Sequence, residues 1–329
     1  MPQLLIVFIS ALLALLITRY LAIKIGLVDR PNVRKLHQGE IPLVGGISVW
    51  FALTVFCLSQ PEPFPWQSWY LLCSGLLLIV GVLDDRFDLP VFPRVVVQLV
   101  VAALMMAAGL KLSSFGAILP GMILMHGIVG YGITILAVWG AINAFNMVDG
   151  INGLLGLLSC VTFGALALLF YLGSRVDVAF WCLAIVVAMV PYLLSNLGLL
   201  GGPRTRVFMG DAGSTVIGFT VIWFLIIATQ GSQAVAYPVT ALWIIAIPLM
   251  DMARLFFSRM LNGHSPFKPD REHLHHVLQR YGLNTKLTLC VMTVASLVFA
   301  LVGIGLDISG VHESVSFALF IVLFAVYFW

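Results

Sequence analysis

Six aspartates pose the chemical question. Asp84, Asp85 and Asp88 fall in LDDRFD, Asp149 in NAFNMVDGING, Asp211 in RVFMGDAGS and Asp251 in IPLMDM. On a helix, residues four apart share a face, so Asp84 and Asp88 are expected to point together. Like charges that close repel and raise each other's pKa, so Arg86 or a divalent cation should offset them. An ordinary solvated helix end is the plainer alternative. Asp149 stands among Asn143, Asn146 and Asn152, with Gly150 and Gly153 breaking the helix. A turn needs one Asp-Gly or Asn-Gly pair, and this stretch has more polar residues than a turn requires. Asp211 is either a helix N-cap or a metal ligand facing substrate phosphates. Arg204 and Arg206 are candidate phosphate contacts just upstream. Asp251 either pairs with Arg254 or joins the acidic set.

Two basic segments accompany the aspartates. PFKPDREHLHHVLQR crowds His273, His275 and His276 beside Arg271. No cysteine or fourth ligand stands at a zinc spacing, so donation to phosphate or sugar suits them better than zinc. VDRPNVRKLHQGEIPLVGG carries Arg34, Lys35 and His37, which suit a lipid phosphate or anionic headgroups. Six carboxylates converging without a cation would repel strongly. Mg²⁺, with Mn²⁺ as the alternative ion, and a diphosphate substrate make the set sensible. The residue types point to phosphoryl transfer to a lipid, and nothing in them points to nucleic acid.

The elements that must hold these residues are apolar. Of 329 residues, 61% are hydrophobic and 9% charged, against roughly 25% charged in soluble domains. Eleven apolar runs can be cut out, near 3–22, 42–60, 66–83, 92–110, 126–145, 154–173, 178–196, 213–229, 236–254, 287–306 and 313–329. Each is read as a transmembrane helix, in one all-α bundle spanning 1–329. The Gly-rich stretch near 111–125 is a candidate re-entrant piece. The N-terminus has no basic region or cleavage site and reads as a retained first span. The five cysteines sit in apolar runs and read as packing residues.

Alternate loops divide the 17 basic residues as 15 against 2, the two being Lys111 and Arg175. Positive loops face the cytoplasm. The N-terminus is then expected outside and the C-terminus inside. The cytoplasmic loops fall near 23–41, 84–91, 146–153, 197–212 and 255–286, and all six aspartates reach that face.

These motifs resemble those of the polyprenyl-phosphate N-acetylhexosamine-1-phosphate transferases. The likeness runs in order from GLVDRPNVRKLHQGEIPLVGGISV through LDDRFD, AVWGAINAFNMVDGINGLLG, VFMGDAGSTVIGFTVIW and TALWIIAIPLMDM to SPFKPDREHLHH. It implies that UDP-GlcNAc and undecaprenyl phosphate give undecaprenyl-diphospho-GlcNAc and UMP, with Mg²⁺. This would be the first membrane step of O-antigen or a related surface polysaccharide, at the bacterial inner membrane. It further implies that Asp84 and Asp85 lie at the reacting phosphates, one as base. Asp211 would be a metal ligand with Asp85 beside it, and Asp149 a catalytic or nucleotide-side carboxylate. Asp88, Asn146, Asn152, Arg204, Arg206, Arg271 and the three histidines would serve substrate binding. Tunicamycin sensitivity and a homodimer are also implied.

Family members commonly read DG-x-DG where this chain has Asp149-Gly150-Ile151-Asn152-Gly153. Asn152 keeps an oxygen and loses a charge, so an indispensable second carboxylate is in doubt here. Another UDP-N-acetylhexosamine donor remains open. A transporter is the alternative from another class, but its carboxylates would sit near the bilayer midplane within inverted repeats.

Overall fold

The computed structural model describes residues 2–30, 39–60, 63–118, 127–263 and 272–329. Arg34, Lys35, His37 and Arg271 lie outside the described residues. All eleven apolar runs carry helix. In order these are α1 (Pro2–Ile25), α2 (Gly45–Leu58), α3 (Gln67–Phe87), α4 (Val91–Ala107), α5 (Ile128–Met147), α6 (Leu154–Leu172) and α7 (Val176–Asn196). There follow α8 (Gly210–Thr229), the pair α9 (Pro238–Ile244) and α10 (Ala246–Leu261), a short α11 (Leu274–Arg280), α12 (Thr285–Ile308) and α13 (Glu313–Phe328). Seven are long and apolar enough to cross a membrane among the described residues, eight if α9 and α10 form one span. α2, α4 and α13 have 14, 17 and 16 residues, short of the roughly 20 a perpendicular span needs.

The ninth run is not one straight helix: α9 and α10 meet at 85°. Pro248 explains the break. Its ring would clash with the carbonyl four residues back, at Ile244, where α9 ends. Pro191, by contrast, is accommodated within α7.

α8 is the central post. Its residues are buried almost throughout, which is why its sequence is apolar all round and not striped. Small residues let its first turn be crowded from two sides. A Cβ on Gly81 of α3 would lie 2.2 Å from the Ala212 Cα, and one on Gly46 of α2 would lie 2.2 Å from the Gly213 Cα. The entry to α2 is also laid along the strand-like VFMG segment. Phe208 N–H donates to the Pro42 carbonyl, and Gly45 and Gly46 N–H donate to the carbonyls of Phe208 and Met209. Just before it, β1 (Val28–Asp29) pairs antiparallel with β2 (Ile41–Pro42).

Residues 110–118 form a strap without helix. Gln230 fastens it, its Oε1 accepting from the Ser113 and Ser114 amides at 2.9 and 3.0 Å.

Candidate active site

The C-terminal ends of α3, α5 and α10 and the N-terminal ends of α4 and α8 meet at one end of the bundle. Between them lies a cavity of about 370 Å³, with Asp84, Arg94, Asn146, Asp211, Arg259 and His273 in its wall. Four of these six were expected from the sequence as site residues: Asp84, Asn146, Asp211 and His273. Asn146 was expected as a binding residue and is found on Asp211.

Asp84 is buried in the last turn of α3. One oxygen accepts the Leu89 amide at 2.9 Å and the other accepts from Arg94 Nη1 at 2.7 Å. Asp88 does not share its face. The helix ends at Phe87, and Asp88 turns left-handed at φ 52°. The cation beside Asp84 is Arg94, not Arg86, whose guanidinium lies against Gly26 and the Phe87 ring. Arg94 also reaches Asp211 Oδ2 at 3.7 Å. It therefore stands between two carboxylates from separate motifs. Sequence reasoning counted Arg94 only as a topology charge. The available signal was its place in the first turn after Pro90, directly beyond LDDRFD.

Asp85, expected beside Asp211 at the metal, takes instead the helix-capping role that was the plainer alternative for Asp211. Its oxygens accept the Asp211 and Ala212 amides at 2.8 and 3.1 Å. It thus satisfies donors that a helix start leaves open, from a neighbouring helix. Gly210 makes this approach feasible: a Cβ there would sit 2.4 Å from Asp85 Oδ2, and its φ is +75°. Asp211 is released from capping. Asn146 Nδ2 donates to its Oδ1 at 2.8 Å and to Ser214 Oγ at 2.8 Å.

Asp149 lies in the turn after α5, reached by solvent. Its carboxyl makes no hydrogen bond among the described residues. Crowding by protein raises its pKa to about 7, with the nearby Asp211 charge as the second cause. Asn152 is half-buried in the same turn. The turn is held by a residue the sequence did not single out. Asn196 accepts from Gly153 N–H at 2.6 Å and donates to the Val207 carbonyl at 2.8 Å, so it ties NAFNMVDGING to RVFMGDAGS.

Asp251 neither pairs with Arg254 nor joins the other aspartates. It is fully buried in α10 and holds the histidine loop. Its oxygens meet His273 Nδ1 at 2.9 Å, the Leu274 amide at 2.8 Å and the Tyr327 hydroxyl at 3.0 Å. His275 is buried against the Asp149 turn: a Cβ on Gly150 would lie 2.2 Å from its Nε2. Burial lowers its pKa to about 3, and His276 and His273 add to this. His276 packs on His275 with ring centroids 4.2 Å apart. Arg204 and Arg206 sit further out. Arg204 is exposed, its carbonyl taken by Arg19 at 2.6 Å, and Arg206 lies against Gly198. Neither is in the cavity wall.

The described residues include no ready-made group of three metal-binding side chains. The carboxylates that are present supply hard oxygen donors, with the His273 imidazole beside them in the wall. Mg²⁺ uses one or two carboxylates and completes its shell with water and phosphate. Asp211, with a part-exposed carboxylate, and Asp149 fit that pattern.

A second cavity of about 600 Å³ lies next along the same helices and is nearly all apolar. On α10 its wall includes Leu249 and Met252, where the first cavity has Phe256 and Arg259. On α5 it includes Ile133 and Ala137, where the first has Ile142 and Asn146. A charged chamber is thus followed, deeper in the bundle, by an oily one.

The glycosyl transferase family 4 pattern matches residues 68–229. The chain is 50% identical over 327 residues to the undecaprenyl-phosphate alpha-N-acetylglucosaminyl 1-phosphate transferase of Yersinia pestis, covering 99% of this chain and 89% of that relative. The enzyme of that name from Salmonella typhi is 49% identical over 99% of this chain and 89% of its own length. That from Haemophilus influenzae is 45% identical over 99% and 92%.

Proposed function

The chain belongs to glycosyl transferase family 4, among the undecaprenyl-phosphate alpha-N-acetylglucosaminyl 1-phosphate transferases, and on that footing we propose that it moves GlcNAc-1-phosphate from UDP-GlcNAc to undecaprenyl phosphate. An oxygen of the lipid phosphate bonds to the β-phosphorus of the donor. The bond from that phosphorus to the bridging oxygen breaks, and UMP leaves. The observation that carries this reading is Arg94 between Asp84 and Asp211, in a charged chamber with a separate apolar cavity next along α5 and α10. An amphiphile with a phosphate head and a prenyl tail has that shape.

A phosphomonoester has its second pKa near 6, so the acceptor is mostly dianionic at pH 7. The barrier is bringing this dianion to an already negative diphosphate. Arg94 and Arg259 supply positive charge at the chamber, which would offset the repulsion between acceptor and donor phosphates. Mg²⁺, when bound through Asp211 and Asp149, would neutralise diphosphate charge; Mn²⁺ has the same ligand preference. Asp84 orients the acceptor through Arg94, or Asp85 or Asp84 takes a residual proton. We assign the histidine loop to the donor, with His273 in the chamber wall as support. Asp88, Asn152, Arg204, Arg206, Arg271 and the lipid-headgroup set Arg34, Lys35 and His37 remain binding candidates.

We take the eleven runs as spans, the ninth broken, with the N-terminus outside and the site on the cytoplasmic face of the bacterial inner membrane. The convergence of helix ends supports this. Under that alternation, α3, α5 and α10 end inside while α4 and α8 begin inside, as the chamber requires. Tyr327, at the end of α13, meets Asp251 at the same end. A homodimer is the assembly expected.

The test is transfer of radiolabel from UDP-GlcNAc to a lipid extract. It should need Mg²⁺, release UMP and be lost in Asp211→Asn. Absence of label in lipid would overturn the reading. A panel of UDP-N-acetylhexosamines decides the sugar.

A further inference from the structure

We infer that Gln98 is a positioning residue for the phosphate end of the lipid acceptor. Gln98 lies on α4 four residues beyond Arg94, on the same face and about 6 Å deeper. It lines the same cavity. Val80, Ile142 and Phe256 are among the apolar residues of the wall, and Asn143 and Thr215 are polar ones. Asn143 Nδ2 donates to the Trp139 carbonyl at 2.7 Å. Thr215 is already satisfied, its hydroxyl donating to the Asp211 carbonyl at 2.7 Å.

Gln98 is not satisfied. The residue is 8% exposed, and its Oε1 has no hydrogen-bond partner. A buried carboxamide left unpaired is destabilising, and one lining a chamber marks a ligand with polar atoms at that depth. An oily chain cannot meet this need, because it carries no donor or acceptor. A phosphate ester held at Arg94 reaches one helical turn further with its ester oxygen or a non-bridging oxygen. The orphaned Oε1 is an acceptor and phosphate offers it no donor. It is therefore the other end of the unpaired carboxamide, the –NH₂, that would donate to the phosphate oxygen, directly or after the amide turns end for end. Being neutral, it adds a contact without a proton that titrates and without drawing on the ion pair between Arg94 and Asp84. The carboxamide thus fixes the depth at which the headgroup stops and the prenyl chain begins.

The inference rests on undecaprenyl phosphate being the acceptor. It is tested on the full chain in detergent, measuring KM for undecaprenyl phosphate and for UDP-GlcNAc separately, with the melting temperature. Gln98→Leu is close in size and apolar. It should raise the acceptor KM about tenfold or more, leave the donor KM within about twofold, and raise the melting temperature. Gln98→Glu sets a carboxylate against the phosphate and should be worse than Leu for acceptor KM. Gln98→Met replaces Leu if that variant fails to accumulate. An unchanged acceptor KM in Leu or Met, or a rise in the donor KM instead, overturns the inference. Wild-type protein in the same assay separates the two failures. If it transfers no label, the functional reading is at fault; if it does and Gln98→Leu matches it, only the role of Gln98 is.

Discussion

Asp251 and His273 are 22 positions apart in sequence and 2.9 Å apart in space. A carboxylate oxygen accepts, so the His273 Nδ1–H is the donor in this contact. This one contact fastens the histidine loop to α10 from inside. Asp251 is fully buried, and its oxygens are held by the His273 ring, the Leu274 amide and the Tyr327 hydroxyl. Asp251→Asn should therefore act through the loop. We expect a KM for UDP-GlcNAc raised about tenfold to a hundredfold, the worth of a hydrogen bond to a buried charge. Tyr327→Phe, which removes one of three partners, should raise it only about threefold to tenfold. Initial rates against donor concentration check both. Equal loss of kcat with unchanged donor KM would place Asp251 in a different role.

Arg94 is the charge on which two carboxylates depend. Asp84 has a side chain only 3% exposed, while that of Arg94 is 36% exposed. Truncating the arginine leaves Asp84 nearly dry, with the Leu89 amide as its remaining partner. Removing one member of a fully buried pair costs about 3–5 kcal/mol, and the part-exposed Arg94 brings the loss here below that range. Arg94→Gln should cut turnover by about a hundredfold or more and lower the melting temperature, whereas Arg94→Lys, which keeps the charge, should recover part of both. Turnover at saturating substrates and a melting curve in detergent decide this.

Much of the scaffold could be read from local pattern because span length and burial are local properties. The eleven apolar runs all became helices, and Asp84, Asp211 and His273 do face one chamber. What escaped was set by contacts between distant segments. Asp85 caps α8 because Gly210 and Ala212 bring two helices within reach, which no spacing near LDDRFD reveals. Asp88 fell off its predicted face because α3 stops one residue earlier. Arg94 and Asn196 are ordinary residues in sequence and acquire their roles only when α4 meets α3, or α7 meets two loops. The bend at Ile244 is the exception, since Pro248 was there to be used.

Gly150 is the hinge between the Asp149 turn and the histidine loop. A methyl group there would overlap the His275 ring at 2.2 Å, and the ring is 1% exposed with no room to retreat. Gly150→Ala should displace the loop, raise the donor KM at least about tenfold and cost about 1–3 kcal/mol of stability. Gly164→Ala, mid-helix with nothing within 4 Å, is the control: it should leave the donor KM unchanged and leave the melting temperature equal or slightly raised. The pair is compared by donor KM and melting temperature.

His275 should also shape stability against pH. Its pKa is lowered from 6.5 to about 3 by burial. The unfolded chain therefore binds a proton between those values that the folded chain does not. Stability from this residue is complete above pH 6.5 and is lost as pH falls, at a limiting slope of about 1.4 kcal/mol per pH unit. Melting temperature measured from pH 7.5 down to 4.5 should decline, and His275→Gln should flatten the decline below pH 6.5. A variant as steep as wild type would assign the slope to other groups.

Asn152 marks where the chain departs from the DG-x-DG pattern of the family it resembles. It sits in the turn that presents Asp149, and Asn196 holds that turn in place through Gly153. The site already carries Asp84, Asp85, Asp149 and Asp211 with Arg94 between two of them, so a fifth carboxylate is not needed for charge balance. Asn152→Asp adds negative charge beside Asp149 while preserving shape and an acceptor oxygen. We expect activity to be retained within about threefold, because no bond to a reacting group is removed. The Mg²⁺ concentration for half-maximal rate should fall, since another carboxylate strengthens cation binding in an oxygen site. Titrating Mg²⁺ against initial rate in both proteins measures the shift. Complete loss of transfer in Asn152→Asp would mean that the amide itself makes a required contact, and that the turn is built around asparagine.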